Sequence, residues 1–199
     1  MLIAIIAANV LLLVVGPFGA LRLRLAADIV YLGAVAGTTT SLAHALLFVL
    51  AGGYGIQELT LPLGLPWLSI HLRLDALSSW FLIVVNLIGA AASLYGIGYG
   101  RHAPEPRRVL PFFPPFLAAM NLVLIAADAF SFLFAWEAMS LMSWLLVLAN
   151  HRSLEARHGA YVYLIMAAAG AGTLILAFGV MAGLEGDYSF AAIRAHDEE

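Results

Sequence analysis

The chain has 199 residues, 63% of them hydrophobic and only 11% charged, with a mean hydropathy of +0.98 and a net charge of −3. Soluble domains carry about 25% charged residues, so this is an integral membrane protein, and without a basic tail or stripe it is not a nucleic-acid binder. It has no cysteine, which excludes disulfides, cysteine-ligated iron–sulfur clusters and zinc ribbons within the chain, and its nine basic residues are all Arg.

Six apolar stretches approach or reach bilayer-spanning length. The first covers Leu2–Leu21, with Gly16 and Pro17 placed to kink it or end it early. It lacks the positive leader and small-residue cleavage site of a signal peptide and reads as a retained helix. The second, Ile29–Ala51, carries Thr38, Thr39, Thr40, Ser41 and His44. The period then changes from helical to two. Leu59, Leu61, Leu63 and Leu65 alternate with Thr60, Pro62, Gly64 and Pro66, and Leu68, Ile70, Leu72 and Leu74 with Ser69, His71 and Arg73. This predicts a β-hairpin over 58–74, turning around Gly64-Leu65-Pro66; the competing reading is an irregular loop.

The third span is Leu77–Tyr99, with Asp75 as its cap and Ser78 at the capping-box position. The fourth is Leu110–Ala127, with Pro111, Pro114 and Pro115 in its first turns, where a missing N–H costs least. Asp128 caps the fifth, Ala129–Leu148, and the sixth is Ala160–Ala182. The tail beyond Ala182 is polar, with Phe190 and Ile193 spaced as on one face of a short interfacial helix.

Seven of the nine Arg fall after spans one, three and five: Arg22, Arg24, Arg101, Arg107, Arg108, Arg152 and Arg157. The other side holds Arg73 and Arg194 with Glu58, Asp75, Asp128, Glu185, Asp187, Asp197, Glu198 and Glu199. The positive-inside rule then puts the N-terminus, the hairpin and the C-terminal tail outside the cytoplasm.

The fifth span carries one charge, Glu137, near its middle. An ionised group at the bilayer centre costs at least roughly 2.5–3.5 kcal/mol, and chains that keep one commonly use it to move or hold an ion. The functional reading of Glu137 is a desolvated carboxylate that passes protons; the bland one is a buried acid paired to fix helix packing. Ser140 lies near its helical face, placed to hydrogen-bond it or hold a water, with Phe134 and Trp144 placed to limit water access. His44 is either a proton relay or a neutral imidazole bonded to a helix carbonyl, with nothing in the sequence to choose between them. His151, Arg152, Glu155, Arg157 and His158 read as a solvated, topology-setting loop rather than a proton feed. Ala167, Gly170, Ala171 and Gly172 read as close helix packing. There is no phosphate-binding loop, catalytic triad or metal-ligand spacing, and no cofactor is expected.

The string FAWEAMSLMSWLLV at 134–147 resembles the "WE-x-M-x-L-x-S" helix of the antiporter-like family. That family comprises the large proton-translocating subunits of respiratory complex I, the Mrp cation/proton antiporters, and the membrane subunits of hydrogenase 4 and formate hydrogenlyase. LRLDALSSWFLIVVNLIGAAASLYGIGY at 72–99 resembles the family's earlier "LD-x-LS…YS-x-GY" helix, and YSFAAIRA at 188–195 the linker after its sixth helix. The "A-x-x-YL-x-M" phrase at Ala160–Met166 is most similar to hydrogenase 4 component B. Two departures stand out: Gly96 where the family often has Ser, and no histidine in Ala167–Gly172.

The resemblance implies that Glu137 matches a glutamate that pairs with a lysine on a seventh helix. This chain has six spans and no lysine, and family members carry about twice as many helices in two inverted repeats. It is therefore expected to be an incomplete member, a fragment or the product of a split gene. Residues 1–109 would be supporting helices and 110–199 the start of the first repeat. The expected fold is an all-α polytopic membrane protein with six spans and a small extracytoplasmic hairpin, in a bacterial inner membrane. The expected function is coupling of redox energy to H⁺ or Na⁺ movement beside other membrane subunits of a respiratory or hydrogenase complex. Its competitor is a six-span scaffold or assembly subunit with no ion path of its own.

Overall fold

The computed structural model describes residues 1–21, 25–53, 55–65, 68–99, 108–182 and 188–196. Arg22, Arg24, Arg101, Arg107, Pro66 and the acidic Glu185, Asp187, Asp197, Glu198 and Glu199 lie outside them. Helices α1 (Leu2–Phe18) and α2 (Ala26–Leu50) precede an antiparallel hairpin, β1 (Gln57–Leu65) and β2 (Leu68–Leu74). Then come α3 (Ala76–Tyr99), α4 (Phe113–Ile125), α5 (Ala129–Val147), α6 (Leu154–Met181) and a short α7 (Phe190–His196).

Four helical segments are long and apolar enough to cross a membrane: Ala26–Leu50, Ala76–Tyr99, Ala129–Asn150 and Leu154–Met181. The expected first and fourth spans are shorter than their apolar text. α1 stops at Phe18, one residue past Pro17, after 17 residues. α4 has only 13 residues rather than Leu110–Ala127. Pro114 and Pro115 confine its start to the first turn, and Pro111 stays outside. Its exit is set by tertiary pairing. Ala126 turns extended and bridges Leu72 of β2, and the Ala127 N–H donates to the His71 carbonyl at 2.9 Å. α6 begins earlier than Ala160 because Ser153 caps it, accepting from the Ala156 N–H at 3.4 Å.

The hairpin alternates as its sequence does. Leu72 and Leu74 are buried, whereas Glu58, Thr60 and His71 face outward. The register runs from Gln57 opposite Leu74 to Leu61 opposite Ile70, then shifts before Gly64 pairs with Ser69. Pro62 falls in that shift, where its missing N–H breaks no ladder bond. The apolar face of the hairpin closes one end of the helical bundle, packing with Leu2, Ile5, Phe48, Leu82 and Ile125.

The helices alternate in direction between this hairpin end and the opposite end. α2 packs along α3 and α1, and α4 joins α1 to α5. α1 and α2 approach closely at Gly37, where a Cβ would lie 2.8 Å from the Leu12 side chain. α6 packs chiefly on α5, and only 6% of its apolar window is buried, with 11% for α5. A Cβ at Gly170 or Gly172 would meet no described atom within 4 Å, whereas Ala171 is buried, so of that stripe Ala171 is packed among the described residues and the two glycines face open space.

Candidate proton-transfer site

α5 is built to hold its one charge in mid-helix. The Asp128 carboxylate accepts the Ser131 N–H at 2.7 Å and fixes the helix start. Glu137 then falls eight residues on, about 12 Å along the axis of a 19-residue helix. Glu137 is half-buried, its Oε1 is shielded from solvent, and that oxygen finds no hydrogen-bond partner among the described residues. The adjacent Trp136 Nε1 is likewise buried and unpartnered. An orphan acceptor beside an orphan donor, inside an apolar helix, is costly unless something else binds there.

Ser140 is buried one turn away and makes no direct hydrogen bond to Glu137 among the described residues. Phe134 is 58% exposed. No Arg lies within ion-pair distance of Glu137 among the described residues, where the ion pairs are His71–Asp128 and Arg73–Asp75. His44 Nδ1 lies 2.9 Å from the Thr40 carbonyl of its own helix, and since a carbonyl only accepts, the ring donates there. That geometry fits the packing reading of His44. No hydrogen bond joins it to Glu137 among the described residues, and α2 packs chiefly on α3 and α1 whereas α5 packs chiefly on α4 and α6.

The flanks of α5 are held by polar clamps. At its far end Arg108 donates to His151 Nδ1 at 2.8 Å and to the Ala149 carbonyl at 3.4 Å, tying the approach to α4 to the exit of α5. Glu155, Arg157 and His158 are exposed on the first turns of α6, as a solvated segment would be. Near its start Phe132 stacks on Trp136 and meets Phe178 of α6 and Phe190 of α7 edge-on. Phe190 and Ile193 do share a face, and it is turned inward, with Ile193 buried.

Sequence reading missed a second polar layer. Asn121 of α4 donates to Asn9 of α1 at 2.9 Å, and Asn86 of α3 donates to Asn121 at 2.8 Å. All three amides are buried, between one apolar cluster around Leu82 and another around Leu12 and Leu117. The available signal was a single amide in each of three apolar helices, a pattern that favours hydrogen bonding between helices.

Fold and site define a polytopic helical membrane protein with an intramembrane carboxylate. Residues 126–198, from the exit of α4 through Glu137 to α7, match the family model described as NADH:quinone oxidoreductase/Mrp antiporter, TM. An uncharacterized protein of Mycobacterium tuberculosis is 33% identical over 131 residues, 66% of this chain and 20% of that protein. Hydrogenase-4 component B of Escherichia coli is 33% identical over 128 residues, 63% of this chain and 19% of that protein. The chain therefore spans about a fifth of the length of these relatives. A chain of the membrane-bound sulfane sulfur reductase, an archaeal respiratory membrane complex, superposes with a TM-score of 0.77 at 23% identity. That match covers 94% of this chain and 29% of the other, and it shows the shared fold. Over the residues matched, the chain is homologous to antiporter-like membrane subunits, among them hydrogenase-4 component B and NADH-quinone oxidoreductase subunit L.

Proposed function

We propose that this chain is the N-terminal portion of a proton-translocating antiporter-like subunit, in a membrane complex of the hydrogenase-4 or NADH:quinone oxidoreductase type. Glu137 is its proton carrier. The observation that carries this reading is the buried, unpartnered Glu137 Oε1 in the middle of a spanning helix, within the family-matched residues. Such an oxygen binds a proton, or the cation of a neighbouring helix, without first breaking an internal bond. Moving one charge across 100 mV is worth roughly 2.3 kcal/mol, which a redox partner in the complex would supply. This chain couples and does not itself oxidise.

Residues 1–109 act as supporting helices and 110–199 begin the proton-translocating repeat. All six apolar helices lie in the membrane, α1 and α4 as short spans. The Arg bias of the loops supports an inner-membrane orientation with the N-terminus and hairpin outside the cytoplasm.

The test is Glu137→Gln in the intact complex, reconstituted in vesicles. Redox turnover should persist while proton uptake or release falls at least tenfold, and Glu137→Asp should retain part of it. Unchanged proton stoichiometry in Glu137→Gln would overturn the assignment. The absence of a paired cation among the described residues favours a second reading, a scaffold subunit without an ion path, and that outcome would support it.

A further inference from the structure

At the hairpin end, three residues from two distant segments share one hydrogen-bond chain. The His71 N–H lies 3.0 Å from Ser131 Oγ, and a backbone N–H only donates, so the hydroxyl accepts there. The hydroxyl hydrogen is then free to point at Asp128 Oδ2, 2.7 Å away. Asp128 Oδ1 accepts the Ser131 N–H at 2.7 Å. Both carboxylate oxygens are thus acceptors. His71 Nδ1, 3.0 Å from Oδ2, has to be the protonated nitrogen. The donor order fixes the tautomer and leaves Nε2 as the ring's free acceptor. The imidazole is half-exposed and lines a cleft of about 410 Å³ with Glu58, Thr60, Arg73, Asp128 and Ser189, whereas Asp128 is almost wholly covered.

We infer that His71 and Asp128 form a proton-binding dyad, in which a proton taken at His71 Nε2 strengthens the clamp between the hairpin and the first turn of the glutamate-bearing helix. Proton uptake turns a neutral N–H···O⁻ contact into an ion pair without moving an atom, and ionised donors make stronger bonds. The ligand is a proton, and no other chemistry is required. The same junction carries the bridge between Leu72 and Ala126 and the Ala127 N–H bond to the His71 carbonyl. Tightening at His71 is therefore felt at the start of α5, eight residues and about 12 Å before Glu137.

Among the described residues, the charged groups facing this site are few. Glu58 of β1 stands opposite Arg73 of β2 in the hairpin register. Arg73 is engaged by Asp75 at 2.9 Å, and Arg194 of α7 donates to the Phe190 carbonyl of its own helix. Asp128 is the carboxylate within hydrogen-bond reach of the ring. The link from dyad to Glu137 rests on the proton-transfer reading, but the dyad itself does not.

The test uses the natural full-length protein in lipid vesicles, with ¹⁵N-labelled histidine and the His71 signal identified by its loss in His71→Gln. Under alkaline conditions His71 should show the Nδ1-protonated tautomer, and Asp128→Asn, which keeps a helix-capping side chain, should erase that bias. Amide hydrogen exchange at Ala127 should slow roughly threefold or more on acidification, beyond the intrinsic pH effect, and His71→Gln should abolish the extra protection. An Nε2-protonated tautomer in the native protein, or Ala127 protection that follows pH equally in His71→Gln, would overturn the inference. Neither readout depends on pumping, so failure of the dyad and failure of the Glu137 assignment are separable.

Discussion

Asn121 of α4 and Asn86 of α3 exchange two hydrogen bonds, at 2.8 and 3.2 Å, inside an otherwise apolar bundle. Asn121 also donates to Asn9 of α1, so one side chain joins three helices. Asn121→Leu removes the hub: Asn9 loses its partner, and Asn86 keeps only the bond from its Nδ2 to the Leu82 carbonyl. It should destabilise the protein by about 1–3 kcal/mol. Asn9→Leu should cost less, since Asn9 Nδ2 is already buried without a partner. Thermal unfolding in lipid or detergent checks the ranking, and equal losses for the two variants would contradict it.

Gly96 of α3 lies against the ring of Tyr31 on α2, and a Cβ at this position would overlap the ring. This gives a physical reason for a glycine at this position. Gly96→Ala should destabilise by about 1–3 kcal/mol through overpacking. Tyr31→Leu should restore much of the loss in the double variant, a coupling that a double-mutant cycle of melting temperatures measures directly.

Asp75 caps α3 by accepting the Ser78 N–H at 2.8 Å and pairs with Arg73 at 2.9 Å. Burial alone would push its carboxyl up, but the Ser78 backbone and hydroxyl, together with Arg73, outweigh burial and hold it below the usual carboxylate range. A carboxyl lowered on folding stabilises the native state above its unfolded value of about 3.9, and the benefit is lost as pH falls through the lower, folded value. Asp75→Asn should therefore be less stable than the native protein at neutral pH, with the gap closing as the solution is acidified below about pH 4. A gap that widens on acidification would contradict this sign.

The absence of cysteine makes the topology testable by single insertions. A cysteine at Thr60, exposed on β1, should react with a membrane-impermeant thiol reagent added outside intact cells. A cysteine at Arg152, exposed between α5 and α6, should react only after the membrane is opened. The reverse pattern would invert the orientation drawn from the Arg bias.

What the sequence made legible was what its local text controls. Hydropathy located the apolar segments, period-two alternation located the hairpin, and residue type identified Asp75 and Asp128 as caps, each confirmed by a bond to a nearby N–H. The early end of α1 was legible in Gly16 and Pro17, but the length of α4 was not, because apolar text continues past it and pairing of Ala126 with Leu72 sets its exit. Partnerships across the fold were not legible either. Asn9 meets Asn121 across 112 positions and His71 meets Asp128 across 57, and no periodicity carries such information. At the site itself, the motif placed Glu137 in mid-helix, and Ser140 lies buried one turn on without a hydrogen bond to it. A neighbouring position on a helix face permits a hydrogen bond and does not require one.

A proton carrier at Glu137 has to change its protonation state in each cycle of the proposed complex. Infrared difference spectroscopy of the intact complex during turnover reads this directly. A protonated-carboxyl band should appear and decay with each cycle in the native protein and be missing in Glu137→Gln. A turnover-dependent spectrum identical in the two proteins would mean that Glu137 is a fixed element of helix packing and that the protons take another route.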